Sequence, residues 1–248
     1  MQELFGEFLG TFILILLGNG VVANVNLEKT YSHGAGWIVI TAGWSMAVFI
    51  AVFATADISG AHLNPAVTVG LAAAGLFDWY KVLPFILAQT AGAMMGAFTV
   101  FLFFKNHFDI TTAPGAKKAC FCTGPAIRKY RSNFFSEMTG TFVLVFAALM
   151  ITLPQLEYHS LGATKVGLGS LGALPVALVV FSIGMSLGGT TGYAINPARD
   201  FGPRLVHWML PLKNKDNTDW AYSWIPVAGP VAGALIAAFL YQVVLHLS

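Results

Sequence analysis

Six stretches of the chain are apolar for long enough to cross a bilayer: about Leu4 to Asn24, Gly36 to Ala56, Leu83 to Phe104, Asn133 to Leu153, Leu171 to Leu187 and Trp224 to Leu247. A hydrocarbon core about 30 Å thick takes about 20 helical residues, and a helix satisfies its own backbone where no water can. Polar punctuation separates the stretches. A loop carrying Glu28, Lys29 and His33 follows the first, and Asp78 to Lys81 reads as an interfacial stretch with an aromatic anchor. Lys105 to Ser132 reads as a long polar loop, Glu157 and Lys165 sit in a Gly-rich one, and Lys213 to Asp219 forms the last. Two shorter stretches break the pattern: SGAHLNPAVTVG (Ser59 to Gly70) and TGYAINPARDFGP (Thr191 to Pro203). In each, Asn supplies a helix cap, and Pro at the first helical position gives up no needed N–H. The two boxes therefore start helices, from Pro65 to about Gly75 and from Pro197 to about Trp208. Each is roughly 16 to 18 Å long, half a membrane. Abutted at their N-termini, they cross it together, with two positive dipole ends and two Asn side chains at the middle.

The halves match. GEFLGTF (Gly6 to Phe12) overlays SEMTGTF (Ser136 to Phe142), pairing Glu7 with Glu137 and Thr11 with Thr141 at an offset of 130. Asn64 pairs with Asn196 at 132, and Gly92 and Gly96 pair with Gly229 and Gly233 at 137. Each half holds three spans and one half-helix, and an odd number of spans inverts the second half relative to the first. The expected fold is an all-α membrane protein: six transmembrane helices plus two re-entrant half-helices. It forms one transmembrane domain, residues 1–248, with inverted repeats at about 1–110 and 130–248.

Composition narrows the classes further. Of 248 residues, 56% are hydrophobic and 10% charged, against about 25% charged in a soluble domain. No separate soluble domain fits, and no basic run suits nucleic acid. Cys120 and Cys122, two apart in a loop, read as free thiols rather than a disulfide or a metal site. No metal or cofactor is expected. The N-terminus lacks the basic stretch of a cleaved signal, so the first span is expected to remain.

Several residues invite chemistry. Glu7 and Glu137 lie just inside their spans, where a carboxylate is expensive unless it faces protein or water. They are expected to accept hydrogen bonds from the box-loop backbone; the alternative is an interfacial carboxylate. Irregular backbone at membrane depth must line a wet cavity or be buried in protein, so the carbonyls of Gly60, Ala61 and His62, and of Gly192, Tyr193 and Ala194, are candidate ladders of acceptors. Arg199, a cation inside the membrane region, is expected to line the passage, with Asp200 or an interfacial phosphate as the competing partner. His62 reads as a gate or a plain loop residue. Gly184 to Gly188 fits the G-x-S-x-G string, but without the preceding strand that a nucleophile elbow requires. The paired glycines suit close helix approach.

With HLNPAVT (His62 to Thr68), INPARDFGPR (Ile195 to Arg204), the duplicated GTF, AQTAGAMMGA (Ala88 to Ala97) and IPVAGPVAGA (Ile225 to Ala234), the chain resembles the aquaporin and aquaglyceroporin channels over its full length. The resemblance implies an aquaporin-like fold, NPA boxes at Asn64, Pro65, Ala66 and Asn196, Pro197, Ala198, one pore per subunit, a homotetramer, and cytoplasmic N- and C-termini in the cell membrane. It places a selectivity filter at Trp44, Gly184, Tyr193 and Arg199. A Gly and two aromatics there look like the glycerol-conducting branch, as do Asp200, Arg204 and Pro226. Tyr193 where Phe is usual, Val227 where Leu or Ile is usual, and Gly124 where a third-loop Tyr is usual depart from that branch. The implied function is passive diffusion of glycerol, water and other small neutral solutes such as urea, lactic acid or hydrogen peroxide, with protons and ions excluded. Charge counting opposes the implied topology: Lys81 and Lys165 lie on the N-terminal side, and eleven Lys or Arg residues on the other. A coupled secondary transporter of a small solute is the alternative, since inverted repeats with broken helices serve there too. Such a transporter needs ionisable groups at the midplane, where this chain offers Asn64 and Asn196. A membrane enzyme lacks a catalytic cluster.

Overall fold

The computed structural model describes residues 1–152, 155–158, 162–165 and 167–247. Its helices are α1 (Gln2–Asn26), α2 (Trp37–Ser59), α3 (Pro65–Ala73), α4 (Trp79–Phe103), α5 (Lys105–Ile110), α6 (Pro114–Ala119), α7 (Tyr130–Met150), α8 (Leu174–Ser186), α9 (Pro197–Met209) and α10 (Ile225–Leu247). Among the described residues, six helical segments are long and apolar enough to cross a membrane: α1, α2, α4, α7, α10, and α8 with the 3-10 turn Gly169–Ala173 before it. The fold is that of a six-span helical membrane protein with two half-length helices, α3 and α9.

Several boundaries and loops depart from expectation. Trp79, Tyr80 and Lys81 belong to α4 rather than to a separate interfacial stretch, because Asp78 ends the preceding turn in extended backbone and helix follows directly. The stretch Lys105 to Ser132 is not simply loop, since it folds α5 and α6, each a turn and a half long. The fourth span stops at Met150, short of Leu153, which lies outside the described residues. The Gly-rich loop carries a small antiparallel hairpin, β1 (Gln155–Tyr158) on β2 (Gly162–Lys165). The fold class is helical, with this short hairpin as the one β element among the described residues.

The repeats pack alike. Gly92 and Gly96 bring α4 onto the α1 backbone: a Cβ on Gly96 would sit 2.8 Å from the Phe12 carbonyl oxygen, and one on Gly92 would collide with that of Phe8. Gly229 and Gly233 bring α10 onto α7 in the same way, against the carbonyls of Phe134 and Met138. Without a hydrophobic drive between helices in lipid, such close backbone approach is what makes helix contacts favourable. α3 and α9 are clamped between these pairs. Their far ends are capped differently: the Ala74 carbonyl accepts from the Gln242 amide at 2.5 Å, while the Trp208 carbonyl accepts from the Lys215 ammonium at 2.6 Å.

Candidate functional site

Each half-helix begins as its Asn-Pro start dictates. Asn64 accepts from the Ala66 N–H at 2.9 Å, and Asn196 accepts from those of Ala198 and Arg199 at 3.0 and 3.2 Å. The amide nitrogens reach across. Asn64 Nδ2 donates to the Ile195 carbonyl at 2.8 Å, and Asn196 Nδ2 donates to the Leu63 carbonyl at 2.8 Å. The reciprocity of matched residues is what a two-fold axis between the boxes produces. Pro65, Ala66, Pro197 and Ala198 are buried behind this junction. Each Asn keeps a second N–H, and both residues border the interior cavity.

The loops leading into the boxes are left-handed at three matching places each. Gly60, Ala61 and Leu63 have φ of +82°, +49° and +52°, and Gly192, Tyr193 and Ile195 have +77°, +34° and +42°. A non-glycine residue held there costs about 1 to 3 kcal/mol, so something must hold it. Glu7 Oε1 accepts from the His62 N–H at 3.0 Å and from Ser59 Oγ at 2.7 Å, while Oε2 accepts from the Leu63 N–H and Gln89 Nε2, both at 2.7 Å. Glu137 accepts from the Ala194 and Ile195 N–H groups at 3.0 and 2.8 Å. Both carboxylates are buried, at 0% and 1% exposure, so neither sits at an interface with water. With the N–H groups turned toward the carboxylates, no hydrogen bond among the described residues reaches the carbonyl oxygens of Gly60, Ala61, His62, Gly192, Tyr193 or Ala194.

Four cavities run end to end past these groups. A mouth of about 520 Å³ between Glu3, Asp57 and Lys81 shares Gly60 and His62 with a chamber of about 290 Å³. That chamber shares Leu14, Val48, Asn64 and Asn196 with a neck of only about 50 Å³. The neck shares Trp44, Gly192, Tyr193 and Arg199 with an outer chamber of about 260 Å³. His62 stands where the first two meet, its ring 4.6 Å from that of Phe77 and its Nδ1 3.2 Å from Thr68 Oγ1.

Trp44, Tyr193 and Arg199 meet in the neck, the guanidinium 4.3 Å from the Trp44 ring centroid. Gly184 does not line it. The space beside Gly184 is taken by Thr41 and Tyr193, and a Cβ there would lie 2.5 Å from Thr41 Cγ2 and 3.0 Å from Tyr193 Cζ. The space that a side chain at 184 would take is therefore filled by the neighbouring ring, whose edge meets Trp37 at 5.7 Å while Trp37 Nε1 donates to the Gly184 carbonyl at 2.9 Å. The Tyr193 hydroxyl has no hydrogen-bond partner among the described residues. Asp200 is not the partner of Arg199: its carboxylate takes Arg204 Nε at 2.7 Å and the Thr123 N–H at 2.8 Å. Arg199 Nη1 donates instead to the Phe121 carbonyl at 3.3 Å, which also accepts from Asn19 Nδ2 at 3.4 Å. Sequence reasoning missed Phe121, since a loop carbonyl has no residue signature. It also missed Gln89, whose only signal is a polar side chain in an apolar span. Cys120 and Cys122 are free and buried, and among the described residues no cluster of ligating side chains suits a metal ion.

Residues 1–241 match the family described as Major intrinsic protein. The glycerol uptake facilitator protein of Streptococcus pneumoniae is 52% identical, the match covering 98% of this chain and 99% of that one. The probable glycerol uptake facilitator protein of Thermotoga maritima is also 52% identical over the same shares. Among solved structures, the X-ray structure of the aquaglyceroporin from Plasmodium falciparum superposes with a TM-score of 0.84 at 32% identity, covering 98% of this chain and 96% of that one. The chain belongs to the major intrinsic protein family.

Proposed function

We propose that the protein is a passive channel for glycerol and similar small uncharged solutes, water among them, and that it excludes protons and ions. The observation that carries this reading is the series of four cavities from the Glu3 mouth to the Cys122 chamber, each sharing lining residues with the next and narrowing to one neck. Along it, a hydroxyl meets free carbonyls on the loops, one free N–H on each box Asn, and the Arg199 donors. Trp44, over whose ring the Arg199 guanidinium lies, and Tyr193 supply apolar surface beside the Arg199 donors, as a polyol with a carbon edge and a hydroxyl edge requires. The names borne by the similar proteins favour glycerol as the solute. Two half-helix N-termini and the Arg199 charge oppose a cation on the axis. A coupled transporter would need a carboxylate at the midplane. Glu7 and Glu137 are spent on the loop backbone behind the lumen.

In this reading Glu7 and Glu137 are loop supports, Trp44, Tyr193 and Arg199 form the filter, and Gly184 shapes it by admitting the Tyr193 ring. No chemistry is done on the solute. Four subunits, each with its own passage, assemble in the cell membrane with both termini cytoplasmic. Purified protein in liposomes should speed shrink–swell responses to glycerol and water, with urea, lactic acid and hydrogen peroxide as comparison solutes. Glycerol flux should ignore imposed sodium and proton gradients. Flux that follows either gradient would replace the channel by a transporter.

A further inference from the structure

Arg199 makes one side-chain hydrogen bond among the described residues, to the Phe121 carbonyl. Its aim in the neck therefore depends on where the Phe121 peptide is held. Two residues on, Thr123 is bound to α9 at three points: its N–H and its hydroxyl donate to Asp200 Oδ2 at 2.8 and 2.7 Å, and its carbonyl accepts from Arg204 Nη2 at 2.9 Å. Asp200 and Arg204 are themselves a two-pronged pair, at 2.7 and 3.0 Å, with both residues at 0% exposure. Arg204 Nη1 also donates to the carbonyls of Thr218 and Asp219, at 2.7 and 3.1 Å, tying in the loop after α9.

The pair has a second effect. Asp200 is the chain neighbour of Arg199, yet no ion pair or hydrogen bond joins them among the described residues. The carboxylate is saturated by Arg204 and Thr123. A buried carboxylate that lost its partner would seek the nearest cation, because leaving it unpaired is costly. Here that cation is Arg199.

We propose that Arg204 and Asp200 are positioning residues for the constriction. The pair fastens the Phe121–Thr123 peptide across Arg199, which aims the guanidinium, and it withholds the Asp200 carboxylate, which leaves Arg199 the uncompensated cation of the neck. The proposal rests on the reading that Arg199 lines the passage. The contribution of Arg199 to solute selectivity and to the ion barrier is then adjusted by two charges that never touch the solute.

The experiment uses full-length channels in liposomes, with glycerol, water and proton permeabilities each divided by the amount of folded channel. Arg204→Met frees Asp200. Proton leak should rise, and glycerol permeability should fall roughly tenfold, the size expected from one charge-assisted hydrogen bond. Asp200→Asn combined with Arg204→Met removes both charges; the proton barrier should return to the parent level while glycerol permeability stays low, because the loop is still unfastened. A purely structural role would leave the double variant at least as leaky as the single one. Should Arg204→Met fail to fold, Thr123→Val loosens the loop but keeps the pair. Glycerol permeability should then fall several-fold with the proton barrier intact, and Thr123→Ser should restore it. Arg199→Val is the control for the underlying reading. If it leaves glycerol-to-water ratio and proton leak at parent values, Arg199 is not at the constriction. If it changes them while folded Arg204→Met, or Thr123→Val in its place, behaves as the parent, the positioning role is overturned.

Discussion

At the scale of single residues, the neck is built by substitution of volume. Gly184 is needed because Tyr193 and Thr41 stand where its side chain would be, so the glycine acts on the lumen through the ring it admits. Gly184→Ala should push the Tyr193 ring into a neck of about 50 Å³. Paired stopped-flow measurements should show the glycerol-to-water permeability ratio falling; a parental ratio would place the constriction elsewhere. Glu137 illustrates the opposite case, a residue whose position in the sequence already indicated its use. A carboxylate two turns inside an apolar span has few affordable partners, and the Ala194 and Ile195 N–H groups are where the repeat pattern points. Glu137→Ala should destabilise the fold by about 2 to 4 kcal/mol, since two buried N–H groups lose a charged acceptor. Less intact oligomer after detergent extraction, with solute preference unchanged in what remains, is the expected result. Asp200 was legible only in part. Its place beside Arg199 suggested a partnership, but Arg204, four residues on along the same helix face, offers a better fork.

Elements differ in how plainly they announce themselves. The long spans and both half-helices follow from apolar runs and Asn-Pro starts, because lipid leaves the backbone no alternative to helix. α5 and α6 have six residues each, too short for any periodicity, and are set by tertiary contacts instead. One such contact joins the segment after α1 to the segment between α5 and α6: Glu28 Oε1 accepts from the Thr112 N–H and hydroxyl at 2.9 Å, and the Glu28 N–H donates to Thr111 Oγ1 at 2.9 Å. These donors hold the Glu28 carboxyl below its ordinary 4.5. The latch is therefore at full strength above pH 4.5 and is lost as pH falls through the lowered value. Hydrogen exchange at Thr111 and Thr112 should quicken in that acid window and not between pH 6 and 8; Glu28→Gln should remove the pH step. The glycine contacts of the outer helices are less forgiving. Gly233→Leu would drive a side chain into the Met138 carbonyl of α7 and should abolish assembly of folded channel, read as loss of the oligomer peak on size exclusion.

For the whole molecule, the repeat offsets lead to the expectation of an inverted pair. The reciprocal Asn–carbonyl bonds have that symmetry. Orientation in the membrane was not legible from charge. Of the eleven cations opposite the N-terminus, Arg199 and Arg204 are buried in α9 and belong to no loop, which leaves nine against two. With cytoplasmic termini, Lys129→Cys should react with an impermeant thiol reagent from outside the cell and Lys165→Cys should not. The reverse pattern would invert the channel. The same reciprocal bonds also bear on how the chain is made. Asn64 must find the Ile195 carbonyl, and Leu63 must find Asn196, a partner synthesised about 130 residues later. At roughly 5 to 20 residues per second that is about 7 to 26 s during which α3 has entered the membrane without its counterpart. The emerging first half is therefore an unfinished half-channel, with the Leu63 carbonyl open to any donor that reaches it. In Asn64→Cys, ribosome-stalled chains ending before Ile195 should react with a thiol reagent too bulky to enter the finished passage, and chains extended past α10 should not.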